Sequence, residues 1–401
     1  MTELPDGWRR TTLGDECEIV SGSTPKTSEP AFWDGEIPWL TPADLSKWKG
    51  TYIDGGARSL TQAGLDSCSA RLFPKNTVMM SSRAPIGYTA IANRQMCTNQ
   101  GFKSMLPSQS VHPEWLRYYL EHALPEIKAM SSGTTFAEIS GKKLGTLPIN
   151  LPPVEEQKRI VEALDAHLSR LDKALAELHE AEHNIELLIE SYRHDVVSGV
   201  YSQGIDGWRH ARLGEIARWG SGGTPQSGNP KYYGGSIPWC VIGDLTESDV
   251  ILTEKSITDE GLAASSAKIV QPGTVLLAMY GASIGRTGLA ATPMATNQAI
   301  AFAVPNPEVD PRYLLLFLQS QKRKFVHAGK GGAQPNISQT IIKDWNITFP
   351  PVEEQRRLIQ QVKEHQQSMA VLMEQNYRMK NQALLLKKSL LNAAFTGELK
   401  V

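Results

Sequence analysis

Asp6-Gly7-Trp8-Arg9 returns 200 residues later as Asp206-Gly207-Trp208-Arg209. The same separation carries Leu13-Gly14 onto Leu213-Gly214, Thr24-Pro25 onto Thr224-Pro225, Ile37-Pro38-Trp39 onto Ile237-Pro238-Trp239 and Asp44-Leu45 onto Asp244-Leu245. After small length changes the register resumes at 198 residues, from Ile86-Gly87 to Ile284-Gly285 and from Thr98-Asn99-Gln100 to Thr296-Asn297-Gln298. Ile139-Ser140 then matches Ile337-Ser338, and Pro152-Pro153-Val154-Glu155-Glu156-Gln157 matches Pro350-Pro351-Val352-Glu353-Glu354-Gln355. Matched blocks in one order mean that one unit has been duplicated, so two similarly folded halves are expected. A length of 401 residues agrees with two hydrophobic cores rather than one.

Each copy has two parts. Residues 1–150 and 201–349 are rich in Gly, Pro, Ser and Thr, and their short apolar runs, such as Thr77-Val78-Met79-Met80 and Thr274-Val275-Leu276-Leu277, sit between turn signals as strands do. A helix is expected from Pro113 to Leu124 and from Pro311 to Phe325, where a proline opens an aromatic and leucine-rich stretch. The remaining segments, 151–200 and 350–401, read as long helices. From Val154 to Val197 there is no Gly or Pro; Ile160, Leu164, Leu168, Leu171, Leu175 and Leu178 recur at steps of three or four, and after a polar turn the stripe resumes at Ile185, Leu188, Ile189, Tyr192 and Val196. Ile359, Val362, Met369, Leu372, Met373, Ala383, Leu386 and Leu390 form a comparable stripe in the second copy, interrupted by Gln366 and Asn376. Glutamates at 155, 156, 353 and 354 complement the dipole of each first turn.

Connectivity then dictates direction. The first helix leaves the first domain for the second, and the second helix leaves the second domain, so paired stripes must run antiparallel and return the end of the chain towards Met1. At about 1.5 Å per residue each helix spans roughly 65 Å. The expected class is α+β: two pseudo-symmetric globular α/β domains separated by two long helices that form an antiparallel coiled coil, an architecture suited to measuring a distance.

Composition removes other classes. Hydrophobic residues at 41% and charged residues at 21% describe an ordinary globular chain. The N-terminal residues lack a basic and apolar leader, and apolar runs such as Val275 to Met279 are too short to cross a bilayer, so a cytoplasmic protein without membrane contact is expected. Cys17, Cys68, Cys97 and Cys240 are widely spaced with no metal-ligand pattern, and are read as packed thiols in a reducing compartment. The formal net charge of −1 argues against a protein that grips nucleic acid unaided. Residues 1–150 carry 15 basic and 15 acidic side chains, and residues 201–349 carry 13 and 11, so any affinity for nucleic acid would have to come from local loops or a partner.

Gly22-Ser23-Thr24-Pro25 with Ile37-Pro38-Trp39, their counterparts Gly222-Gly223-Thr224-Pro225 with Ile237-Pro238-Trp239, the Pro-Pro-Val-Glu-Glu-Gln entries to both helices and the ending Ala394-Phe395-Thr396-Gly397-Glu398-Leu399 together make the chain resemble the specificity subunits of type I restriction-modification systems. The resemblance covers the whole chain. Phe349 in place of Leu151 is a mild departure, and Val197-Ser198-Gly199-Val200-Tyr201 fits the family ending less well than Phe395 to Leu399. The resemblance implies that residues 1–150 and 201–349 are target recognition domains, each reading one half of a split sequence in double-stranded DNA. It implies that the helices set the spacer and hold two adenine methyltransferase subunits, with restriction and translocase subunits joining in the full complex. S-adenosylmethionine is then expected in the methyltransferase partners, ATP and Mg in the restriction subunits, and no cofactor or metal in this chain. Partners that contact phosphates would explain the balanced charge, leaving base selection to this chain. The alternative is a non-catalytic tandem scaffold or binding protein for a ligand other than DNA.

Catalytic motifs are lacking. Asn229-Pro230-Lys231-Tyr232 is faintly similar to an adenine methyltransferase motif, but Glu29-Pro30-Ala31-Phe32 stands at the same place in the first copy, so a turn with a packed aromatic is expected. Ser140-Gly141-Lys142-Lys143 is not a phosphate loop, because position 136 is Phe where that motif needs Gly. His167, His179, His183, His194 and His365 are read as surface residues of the long helices. Trp39 and Trp239, repeated beside Ile-Pro, are read as shared core rather than base-stacking platforms.

Residues that read different half-sites should differ between copies, and residues that hold the fold should not. Lys26 becomes Gln226, Arg83-Ala84-Pro85 becomes Tyr280-Gly281-Ala282-Ser283, Tyr88 becomes Arg286, and Ser131 to Thr135 becomes Lys330 to Gln334. Arg and Lys suit guanine edges, Gln and Asn suit adenine. The candidate DNA-contacting residues are therefore Lys26, Arg83, Tyr88, Ser132, Thr134, Thr135 and Lys142, with Gln226, Tyr280, Arg286, Lys330, Gln334 and Asn336 in the second copy.

Overall fold

A computed structural model describes residues 4–83, 85–132, 137–202, 206–329 and 335–399. The chain divides into two compact units, residues 1–178 with 378–401 and residues 179–377.

In the first unit a five-stranded sheet has the order β2-β9-β6-β7-β4, formed by β2 (Cys17–Ser21), β4 (Tyr52–Ile53), β6 (Val78–Ser81), β7 (Thr89–Ala92) and β9 (Phe102–Pro107). A second sheet has the order β5-β3-β8, from β3 (Trp33–Leu40), β5 (Arg58–Leu60) and β8 (Cys97–Thr98). β1 (Arg9–Thr12) pairs antiparallel with β10 (Pro148–Leu151), tying the first strand to the last before the long helix. β6 is buried at all four positions because its two faces enter different clusters. Val78 and Met80 pack with Trp115 and Tyr119 of the helix Pro113–His122, while Met79 packs with Leu40, Phe73 and Phe102. A strand covered on both sides reads as a continuous apolar run.

The second unit repeats this plan. Its five-stranded sheet has the order β12-β20-β17-β18-β14, with β12 (Ala217–Ser221), β14 (Asp249–Val250), β17 (Val275–Ala278), β18 (Thr287–Ala290) and β20 (Ile300–Pro305). β11 (Arg209–Arg212) pairs antiparallel with β21 (Asn346–Phe349). The smaller sheet, β15-β13-β19-β16, gains a fourth strand: β13 (Tyr233–Cys240), β15 (Lys255–Ile257) and β19 (Met294–Thr296) are joined by β16 (Ile269–Val270), where the first unit has a single bridge between Phe73 and Met96. The helices expected as single elements after Pro113 and Pro311 are each two. Pro113–His122 is followed by Leu124–Met130, and Pro311–Ser320 by Lys322–Ala328. In the first copy Pro125, at the start of the second helix, has no N–H to continue the first.

The long helices run Val154–Val197 and Val352–Thr396. Gly199 and Gly397 follow their ends at φ of +84° and +83°, the left-handed conformation that stops a helix. In the first unit Ile160, Leu164 and Leu168 are buried and Leu171 half-buried in one cluster with Leu390, Leu391, Ala394 and Phe395. Asn150 lies against Phe395, and Asp172 lies 3.2 Å from Lys387, so the two helices run antiparallel there. In the second unit Tyr192 stacks on His365 at 4.0 Å and Arg357 donates to the Tyr201 carbonyl, the same opposed direction. His365 is therefore packed between the helices rather than on the surface. Leu175, Leu178, Ile185, Ile189, Ile359 and Met369 are half-buried and Val362 is buried.

Three expected stripe positions lie elsewhere: Leu188 of the first helix and Leu372 and Leu386 of the second are 55%, 44% and 50% exposed. Met373, also on the expected stripe, is half-buried as expected, while beside Leu386 it is Lys387 that turns inward to bridge Glu121 and Asp172. A charged residue on the inner face breaks the apolar count that hydrophobicity alone would follow. Leu358, absent from the expected stripe, is fully buried.

Candidate nucleic-acid interface

In the first unit four loops are drawn to one end of the five-stranded sheet by main-chain hydrogen bonds. The segment after β2 is held by Ser23, whose N–H donates to the Thr98 carbonyl at 3.0 Å, and by the Thr24 hydroxyl on Gln100. Where β6 ends, the Ser82 N–H donates to the Gly101 carbonyl at 2.7 Å, and the Ile139 N–H to the Ser82 carbonyl at 3.1 Å. Ser132 and Glu138 exchange both main-chain bonds at 3.0 Å. Lys26, Arg83 and Ser132 thereby come to one end of the domain, all exposed.

A charged floor lies beneath. Arg83 Nε donates to Glu138 Oε2 at 3.0 Å, and Lys103 Nζ stands 3.6 Å from Glu138 Oε1. The Lys103 side chain is only 6% exposed. Burial pulls its pKa below the ordinary lysine value, and Glu138 offsets part of that shift. Arg83 uses Nε for Glu138, and among the described residues this leaves its terminal nitrogens to meet a ligand. Lys142 is exposed on the short helix Gly141–Gly145, whose first turn is capped by the Ser140 hydroxyl. Tyr88 is half-buried against the cluster of Leu40, Met79 and Phe102, so its ring belongs to the wall of the domain.

The second unit builds the same frame with other side chains. The Gly223 N–H donates to the Thr296 carbonyl, the Met279 N–H to the Ala299 carbonyl and the Ile337 N–H to the Met279 carbonyl, each at 2.9 Å. Thr224 bonds Gln298 as Thr24 bonds Gln100. Tyr280 and Asn336 form a bridge pair, both exposed, while Gln226 is exposed on the adjoining loop and Arg286 is half-exposed where the β17–β18 connection returns. The charged floor is gone. Ala301 stands in place of Lys103, and Asn336 in place of Glu138. Thr134, Thr135, Lys330 and Gln334 lie outside the described residues.

The shared residues have structural work. Trp39 and Trp239 are buried and donate their indole N–H to the carbonyls of Ser23 and Gly223 at 2.9 and 3.1 Å, so they anchor the first loop rather than face a ligand. The Asn229 side chain accepts from the Lys231 N–H, the expected turn. Two features escaped sequence reasoning. Arg58 lies 3.4 Å over the ring of Trp33, which itself meets Trp39 edge-on. The other is the Lys103–Glu138 pair, whose available signal was a lysine in a strand that is otherwise apolar but for Ser104, with alanine at the same place in the other copy. Among the described residues no cluster of His, Cys, Asp or Glu could hold a metal, and no helix is long and apolar enough to cross a membrane.

Known proteins share this arrangement. The family described as type I restriction modification DNA specificity domain matches residues 5–186 and again residues 205–378. The MjaIX type I restriction enzyme specificity subunit of Methanocaldococcus jannaschii is 28% identical over 369 residues, covering 87% of this chain and 84% of that protein. The EcoKI specificity subunit of Escherichia coli is 21% identical over 435 residues, covering 99% and 90%. Among solved structures, one from work on assembly and conformational transition of the type I restriction-modification system aligns over 100% of both chains with a TM-score of 0.80 at 22% identity. The HsdS subunit of Thermoanaerobacter tengcongensis aligns over 99% of both at 0.60 and 23%. Two copies of one specificity domain, in a frame duplicated residue by residue, place the chain in a single family: it belongs to the DNA specificity subunits of type I restriction-modification systems.

Proposed function

We propose that each recognition domain reads one half of a bipartite double-stranded DNA target through the loops gathered at one end of its five-stranded sheet, and that the paired helices set the spacer. The observation that carries this is the contrast within those loops. Main-chain bonds hold them alike in both copies, while the side chains they present differ, from Lys26 and Arg83 to Gln226, Tyr280 and Asn336. The first set suits guanine edges and the second, through Gln and Asn, suits adenine. Base selection resides here, and the phosphate contacts that a nearly neutral chain cannot supply come from its partners.

Those partners are two methyltransferase subunits docked on the helices, with restriction and translocase subunits in the complete assembly. The chain itself is non-catalytic. S-adenosylmethionine is bound by the methyltransferases, ATP and Mg by the restriction subunits. Exposed Leu372, Tyr377, Met379, Leu384, Leu385 and Leu386 on the second helix support docking there, since apolar side chains grouped on one helix favour a protein partner.

Exchange of residues 201–349 for the equivalent domain of a relative, followed by methylation mapping of cells that also carry the methyltransferase, tests the reading. One half of the methylated motif changes and the other stays. A map with both halves altered, or neither, would refute it.

A further inference from the structure

The two most closely repeated blocks, Asp-Gly-Trp-Arg and Pro-Pro-Val-Glu-Glu-Gln, meet at one joint in each unit. Gly7, at φ of +82°, lies against Pro153, and Gly207, at +92°, lies against Pro351, a left-handed turn that lets the incoming chain cross the start of the long helix. At the centre sits a fully buried glutamine. Gln157 Oε1 accepts from the His112 N–H at 2.7 Å, and its Nε2 donates to the carbonyls of Ser110 and Pro152, both at 2.8 Å. Gln355 repeats every bond: it accepts from the Asp310 N–H at 2.8 Å and donates to the carbonyls of Glu308 at 3.0 Å and Pro350 at 2.8 Å.

Each amide thus ties three segments: the proline entry, the first turn of the long helix, and the loop that opens the domain helix at Pro113 or Pro311. All its partners are main-chain groups. That is why the joint is identical although Ser110 and His112 have become Glu308 and Asp310. A leucine could fill the same volume, but apolar packing tolerates small rotations that three directional bonds in a dry site do not. The leverage is large. A tilt of about 3° at the root of a helix roughly 65 Å long moves its far end by about 3.4 Å, one base-pair rise.

We infer that Gln157 and Gln355 are positioning residues for spacing: each locks the angle at which a long helix leaves its recognition domain, and so sets how strictly one spacer length is enforced, without touching a base. This rests on the reading that the two domains recognise a split target.

Gln157→Met and Gln355→Met, singly and together, keep the volume and remove the bonds. Expressed as the full chain with the methyltransferase subunits, they are mapped by genome-wide detection of methylated adenine, with occupancy compared at the native spacer and at spacers one base pair longer or shorter. Both half-site sequences persist, and the occupancy ratio of off-length to native sites rises about tenfold in each single variant, further in the double. Gln157→Glu, a milder change that keeps the acceptor and, protonated in burial, one donor, falls between wild type and Gln157→Met and serves if the Met variants do not accumulate. A spacer distribution as sharp as wild type in the variants overturns the inference, even if total methylation falls evenly, since that is the mark of a merely structural role. A wild-type map with no bipartite motif would overturn the recognition reading itself, a separate result.

Discussion

Glu16 shows how one side chain braces the reading domain in one copy only. It accepts from Arg9 through both carboxylate oxygens, from Thr11 at 2.9 Å and from Ser110 at 2.9 Å, so it steadies the loop whose carbonyl Gln157 uses. The Arg9 guanidinium, helped by the Ser110 and Thr11 hydroxyls, lowers its pKa to about 2 against the cost of burial. Ile216 replaces it in the second copy. A carboxyl depressed on folding adds stability above its ordinary range and loses it as pH falls towards the folded value. Wild type is therefore expected to lose stability between about pH 4.5 and pH 2, and Glu16→Gln to be flatter there. At pH 7 the variant is less stable by about 1–2 kcal/mol, solvent at the half-exposed Arg9 screening the pair. Urea unfolding at a series of pH values checks both; parallel curves for the two proteins would contradict the assignment.

At the scale of elements, the second helix separates residues that look equivalent in sequence. Leu358 is fully buried, while Leu372 and Leu386 are largely exposed. Leu358→Ala should cost about 2–5 kcal/mol in denaturant unfolding, and Leu372→Ala or Leu386→Ala about 0.5 kcal/mol or less. The exposed pair should instead weaken co-purification with the methyltransferase. The duplication, both long helices and the burial of Trp39 and Trp239 were readable from spacing and repetition, because periodicity and shared identity report directly on faces and frames. Asn376, read as a polar interruption of the second stripe, is buried; the stripe was misread where Lys387 turns inward to Asp172, since a charged residue on the inner face leaves no trace in an apolar count. The reading end was legible as a set of unshared loops. Its Lys103–Glu138 floor was not, because the one local hint, a lysine where the other copy has alanine, does not name the partner that a distant segment brings to it.

For the molecule as a whole, the compact units part inside the helices, after Leu178 and after Tyr377, rather than at the edges of the recognition domains. Each unit thus contains its domain, the root of one helix and the end of the other. Adding about seven residues, two turns, near this parting should lengthen the spacer in mapped methylation motifs while leaving both half-site sequences intact. Sites of the old length would argue that the helices do not act as the ruler.

The variable positions at the reading end hang from peptide-group bonds, Ser82 to Gly101 in one copy and Met279 to Ala299 in the other, and from side chains that both copies share, Thr24 on Gln100 and Thr224 on Gln298. A socket of that kind is indifferent to the chemistry plugged into it. Mutation can therefore explore new target preferences at positions 26, 83, 226, 280 and 336 with little risk to folding, and a lineage can change the DNA it recognises while the machinery that assembles around it stays the same.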